Sequence, residues 1–480
     1  MSSNIEKNSS IEELLPFKEI PGGYGLPFFG AISDRHDFHY RQGPDEFFRA
    51  RMQQHNSTVF RANAPPGPFN ARNARVVVLL DAVSFPILFD TSKVEKRDVF
   101  TGTFMPSTSF TGGYRVCSYL DPSEPKHALI KGFLLSLLGR LHTELIPTFH
   151  AAISQLFADV EADLDAEGES AFNSVSDKFS FDLLFRLFAG KSSYGAGVGD
   201  GGSSLDTWLL LQLAPLVTLG LKFVPNFIED LVLHTFPLPY FLAKSGYEKI
   251  HRAFQEGAGE LLDEAEKKGL SRDEASHNLM FVMGFNSYGG TKILFPALLK
   301  YVGSGGEDLH RCLAVEIRGA VEEEGGVTLA ALERMSLVKS VVWETMRIEP
   351  PVQYQYGKAK EDLKISSHVA TYVVKKGEMI FGYQPFATRD PLIFVNPDEF
   401  VPERFMDEGE QLIKYVYWSN GMETDNPTAD NKQCPAKDMV VLLGRMMLVE
   451  IFLRYDTFNV EVGKLLLGSS VTIKSMIKFI

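Results

Sequence analysis

Cysteine is scarce in this chain. Three residues in 480, Cys117, Cys312 and Cys434, cannot build a disulfide framework. A reducing compartment is expected, with any special cysteine doing ligand or redox work. Positive charge is short as well: 48 Lys and Arg stand against 61 Asp and Glu, a net charge of −13, which argues against a basic nucleic-acid-binding face. Long apolar runs are missing too. The stretch Trp208 to Leu221 (WLLLQLAPLVTLGL) is interrupted by Pro215 and Gly220 and is too short to span a bilayer. It reads as a buried helix pair, with a lipid-facing lip that admits an oily substrate as the alternative. The opening MSSNIEKNSSIEELLP holds Glu6, Glu12 and Glu13 and no apolar run, so neither a signal nor a transit peptide is expected. A cytoplasmic protein with at most peripheral membrane contact is the expectation. Linker-like segments are absent, which predicts one domain over 1–480 despite the length.

What is present is 45% apolar residues, enough for a large core. Helix is expected over 40–56 and strands over 57–61 and 75–80, in a β-containing part of about 20–100. A helical body of about 126–350 follows, with amphipathic periodicity over 126–138, 141–165, 175–188, 205–219, 245–268, 272–300, 308–323 and 328–348. Strand signals return around 362–382 with a turn at Lys375-Lys376-Gly377, and a last helix spans 437–454 before strand-like residues close the chain. The fold class is mainly α with a small β portion. Gly195 to Gly202 (GAGVGDGG) contains G-x-G-x-x-G, but it follows a helix and has no βαβ unit around it, so it is read as a flexible loop rather than a nucleotide site.

Cys434 stands just before the helix that starts near Lys437. Free N–H groups and the helix dipole there favour a thiolate, a good axial ligand for haem iron. Lys432, two residues earlier, is a cation able to meet a haem propionate. Glu344 and Arg347 share one face of a helix that stops at Pro350-Pro351, and Arg404 is placed to complete a triad with them.

Together these motifs resemble the cytochrome P450 superfamily. Glu344-x-x-Arg347, Ala387-Thr388-Arg389-Asp390-Pro391, Pro402-Glu403-Arg404-Phe405 and a cysteine followed by a helix occur in superfamily order. The usual ligand loop has its glycine four residues before the cysteine, whereas Gly421 precedes Cys434 by thirteen, a loop nine residues longer. That loop of about 415–440, YVYWSNG to NKQCP, resembles the plant family of allene oxide synthases, hydroperoxide lyases and divinyl ether synthases, and the likeness runs from PGGYGLPFFGAISDR to VEVGKLLLGSSV. Met422 and Ala436 depart from the family, which usually carries Arg or Pro and Gly at these places; each bears on loop packing or haem affinity.

The resemblance implies a P450 fold, haem b and a fatty-acid hydroperoxide substrate, in oxylipin biosynthesis. Cys434 is implied as the iron ligand, with His127, Lys131, Lys96 and Lys432 at the propionates and Asn286 at the hydroperoxide. In the central helix Asn286 replaces the acid of oxygen-activating relatives, and an amide cannot relay protons at neutral pH. The pair Gly289-Gly290 is expected to weaken or open that helix near the iron. A hydroperoxide already carries its oxidising equivalents, so neither O2, NADPH nor a reductase is required. Phe100 and Ser118 match the dehydrating members, where lyases carry Leu and Ala. An allene oxide synthase is therefore expected, acting on 9- or 13-hydroperoxides of linoleic and linolenic acids. The alternatives are a hydroperoxide lyase, a reductase-fed monooxygenase, or a haem protein without turnover. Val352, Gln355 and Leu467 are candidate lining residues from family regions.

Overall fold

In a computed structural model, residues 15–64, 66–71, 73–100, 104–221, 223–465 and 467–480 are described. The opening polar segment thus lies outside the described residues up to Leu14. A five-stranded sheet orders Val59–Asn63, Arg75–Leu79, Met379–Tyr383, Tyr354–Ala359 and Val94–Glu95. Its centre is the parallel pairing of Val77 with Ile380, Val78 with Phe381 and Leu79 with Gly382. The first hundred residues therefore share a sheet with residues some three hundred further on. A second sheet joins the hairpin Tyr455–Lys464 and Ser469–Lys478 to Ser170–Ala171.

Helix dominates between the sheets, and the expected breaks fall differently. Pro125–Glu167 is one helix of 43 residues, not two. A helical glycine such as Gly139 costs about 1 kcal/mol, but Leu137, Leu138 and Leu141 around it are buried and tertiary packing prevails. The expected helix 205–219 runs instead over Gly202–Leu213; Pro215 cannot continue it, and a 3-10 turn Ala214–Leu216 ends it. The segment 245–268 divides into Phe241–Gly257 and Gly259–Lys267, and 328–348 into Leu329–Glu333 and Ser336–Ile348. Tyr354–Ala359, unread in the sequence after Pro350-Pro351, is a strand that pairs with Met379–Tyr383.

The central helix is the element that organises the site. Arg272–Met280 passes into a π-helical segment, Phe281–Tyr288, and then into Gly289–Glu323, which kinks at Gly306 (φ 73°). The widened turns precede the Gly289-Gly290 pair rather than coinciding with it. A π-segment of this kind inside a long helix is costly and recurs at functional sites. Its outer side is locked: Tyr288 is buried, its hydroxyl donates to Asp206 at 3.2 Å, and Lys292 bridges Asp206 and Asp177.

Candidate active site

Cys434 lies where the extended loop meets the helix Lys437–Arg454. Upstream, Tyr417–Trp418 and Gly421–Met422 form a tight hairpin, with Asn420 at φ 60° in its turn. A side chain at Gly421 would meet Gln433, its Cβ falling 2.6 Å from the carboxamide carbon, and would push Gln433 off the Met422 carbonyl to which it donates. The Cys434 N–H donates to the Ser419 carbonyl at 3.0 Å. Gln355, expected to line the substrate space, is instead buried inside this scaffold. It donates to Gln384 (2.7 Å) and the Trp418 carbonyl (2.8 Å) and accepts from the Asn420 N–H (2.9 Å). Val352 and Leu467 are exposed.

Asn431, which sequence reasoning passed over, orders the long loop. Its side-chain oxygen accepts from the N–H groups of Thr428 and Gln433 and from Lys131, and its amide donates to the Asn426 carbonyl. Ala436 adopts φ −96° and ψ 15°, a conformation any residue takes, so the family's glycine is not required by the backbone. Met422 packs, half-buried, against the smaller core that holds Phe85 and Tyr417.

Burial pushes the Cys434 thiol up, opposed by a hydrogen bond from the Ala436 N–H and by the charge of Lys131. Burial thus works against the ionisation that the helix end favours, and a metal ion held here would displace the proton.

Three lysines and a histidine gather beside this cysteine. Lys96, His127 and Lys131 are buried and Lys432 is half-buried. Their partners are carbonyl oxygens: Tyr356 for Lys96 (2.5 Å), Ala429 for His127 (3.1 Å), Asn431 for Lys131, and Cys117 (2.9 Å), Ser118 (3.1 Å) and Leu120 for Lys432. Burial, with the charge of Lys432 added, lowers Lys96 to about 7. Burial likewise lowers Lys131 and Lys432 to about 8 and His127 to about 4. Lysines crowded in low dielectric and short of counter-charge keep their protons when an anion joins them, and His127 adds a hydrogen-bonding ring. This donor set fits the two propionates of a haem whose iron would meet Cys434.

Phe100 stands edge-on to Tyr119 (5.6 Å between ring centres), Phe281 (6.2 Å) and Phe285 (5.1 Å). Phe285 precedes Asn286, which is exposed on the π-segment and makes no side-chain hydrogen bond among the described residues. Ser118 lies in the 3-10 turn Cys117–Tyr119, whose first two carbonyls Lys432 holds. Lys432, Ser118, Tyr119, Phe100, Phe285 and Asn286 thus form one connected path.

Further off, Glu344 receives Arg347 through Nε (2.6 Å) and Nη2 (2.8 Å) and Arg404 through Nε (2.8 Å). Arg347 also donates to the carbonyls of Thr388, Pro397 and Glu399, which fastens the segment leading to the ligand loop. Another acidic group with metal-ligand reach, Asp81, His368 and Asp390, already spends its carboxylates on backbone N–H groups, Thr58 and His368.

The cytochrome P450 family profile matches residues 308–419. A P450 carries haem iron, the group that this cysteine and these cations suit. Among curated proteins the chain is 58% identical to Allene oxide synthase 3 of Solanum lycopersicum, covering 98% of this chain and 96% of that one. It is 56% identical to Allene oxide synthase 2 of Oryza sativa subsp. japonica (95% and 96%) and 52% identical to the chloroplastic Allene oxide synthase of Linum usitatissimum (98% and 87%). The chain belongs to the plant hydroperoxide-metabolising family of cytochromes P450, together with these allene oxide synthases.

Proposed function

We propose that this chain is a haem b-dependent allene oxide synthase that dehydrates 9- or 13-hydroperoxides of linoleic and linolenic acids, working as one domain without a reductase. The observation that carries this reading is the exposed amide of Asn286 on the π-segment, where an oxygen-activating enzyme needs an acid. Bound haem iron would supply cleavage of the peroxide O–O bond, leaving an oxygen radical on the substrate that closes to an epoxide. The protein's residues do the rest. Asn286 orients the hydroperoxide by hydrogen bonding, and Lys96, His127, Lys131 and Lys432 hold the propionates. Phe100 turns its aromatic face toward the carbon that next carries radical and then positive character. A π face stabilises such charge, which favours electron loss and dehydration over return of hydroxyl.

The experiment is incubation with the four hydroperoxides, without NADPH, for the wild type and Phe100→Leu. Ketols and cyclopentenones are expected from the wild type, and a shift of about tenfold toward aldehydes from the variant, since about 1.4 kcal/mol of lost charge stabilisation is a factor of ten. Aldehydes from the wild type would establish a lyase instead; an unchanged ratio in Phe100→Leu would remove that ring from the mechanism.

Membrane contact belongs to the same reading. No helix among the described residues is long and apolar enough to cross a membrane. Yet Phe69, Phe223, Phe227, Leu231, Phe236 and Phe241 are all exposed, Phe223 at 98%. Phe69 stacks on Phe236 at 4.9 Å, and the buried pair of Arg35 with Asp230 ties the N-terminal helix Phe29–His36 to this region. Such a patch suits a bilayer surface that delivers an oily substrate. Phe223→Asp with Phe227→Asp is expected to weaken co-sedimentation with phospholipid vesicles by at least about tenfold; equal co-sedimentation rules the patch out.

A further inference from the structure

The turn that carries Ser118 is held at nearly every backbone group, and by three different parts of the fold. Lys432, from the ligand loop, takes the carbonyls of Cys117, Ser118 and Leu120. The Tyr119 carbonyl accepts from the Asp98 N–H (3.0 Å) and from Arg115 (3.0 Å). The remaining bond comes from the central helix. The Cys117 N–H donates to the side-chain oxygen of Asn278 at 3.0 Å, a contact across 161 residues. Asn278 is 2% exposed, and its amide nitrogen donates to the Glu274 carbonyl one turn earlier, which fixes the carboxamide's orientation. Eight residues on, the same helix presents Asn286.

We infer that Asn278 is a positioning residue for product partition: its one bond to Cys117 sets the distance between the turn bearing Ser118 and Tyr119 and the helix bearing Asn286. This rests on the synthase reading above. Tyr119 links the turn to the reaction, since its ring is the shared neighbour of Phe100 and Phe281, each 5.6 Å away. Release the Cys117 N–H, and Tyr119 and Phe100 move together relative to Phe285 and Asn286. The aromatic ring then no longer meets the substrate carbon at the spacing that favours charge separation, while Cys434, Lys96, His127 and Lys131, whose partners lie outside the turn, keep their places. Partition between dehydration and hydroxyl return shifts, whereas haem binding does not.

The test compares three variants as haem-loaded full-length protein. Asn278→Leu matches the volume and removes the acceptor. Asn278→Ser bonds back to its own helix but falls short of Cys117, and serves if the leucine variant does not fold. Asn278→Asp preserves both bonds, because a carboxyl buried at this site stays protonated, accepting from Cys117 and donating to Glu274. The aldehyde-to-ketol ratio is expected to rise about tenfold in the leucine or serine variant, the ratio that one buried hydrogen bond is worth. The haem spectrum is expected to stay as in the wild type, and the aspartate variant to return the wild-type ratio. Unchanged partition in Leu and Ser, or an equal shift in Asp, overturns the role of this bond. Aldehydes from the wild type would overturn the synthase reading and leave a shift between variants measurable.

Discussion

Cys434→Ala is expected to abolish the haem-thiolate spectrum and to lower hydroperoxide consumption by at least about a thousandfold, a barrier change of roughly 4 kcal/mol. The thiol is buried and pushed up by that burial, with one N–H hydrogen bond and one nearby lysine opposing. Such a group ionises when a cation takes it, and no neighbouring side chain on the loop offers a second soft ligand: Gln433, Pro435 and Ala436 flank it. The loop itself does not need the sulfur, because the hairpin 417–422, Gln355 and Asn431 hold it by hydrogen bonds. The variant is therefore expected to fold and to keep its far-UV circular dichroism, which separates loss of ligand from loss of structure. Full haem absorbance together with undiminished peroxide consumption would refute the assignment of this residue.

Arg347→Ala is expected to cost about 3–5 kcal/mol, because it removes the two-nitrogen partner of a carboxylate in the interior. Glu344 and Arg347 are both 0% exposed, so water cannot replace the lost guanidinium. Arg404 and the Val401 N–H then face Glu344 on one oxygen only, and the carbonyls of Thr388 and Pro397 lose their donor. Against a typical total of 5–15 kcal/mol this is a large share. A lowered thermal midpoint and poor haem retention are the expected measurements. Arg347→Lys should fall between, since an ammonium supplies one charge but not the fork that reaches Glu344 on two nitrogens and three carbonyls besides. A midpoint within error of the wild type in Arg347→Ala would show that the interior here hydrates.

The fold class was legible because helix periodicity and a cysteine–helix junction are local signals, and the order of short motifs is one-dimensional. Helix boundaries were less so. The break expected between 138 and 141 does not form, because Leu137, Leu138 and Leu141 are buried on one side of the helix although Gly139 and Arg140 are exposed. Gly289-Gly290 marks weakness correctly but not where the wide turns fall, which depends on Tyr288, Lys292, Asp206 and Asp177 meeting from three elements. At the site, Glu344, Arg347 and Arg404 do come together, whereas Gln355 serves the scaffold. Lys432 was expected only to face a propionate; its ammonium also gathers three carbonyls from a turn over 310 residues earlier. Asn278 and Asn431 carry no motif. Their importance lies in partners distant along the chain, which spacing cannot display.

The parallel pairing of Arg75–Leu79 with Met379–Tyr383 bears on how the protein is made. When the first strand leaves the ribosome, its partner is about 300 residues from being synthesised, which at 5–20 residues per second is a wait of roughly 15–60 s. For that time Val76, Val77, Val78 and Leu79 offer an open edge, an invitation to aggregation that nascent-chain chaperones exist to cover. Coexpression of such helpers in a foreign host is therefore expected to raise the soluble yield.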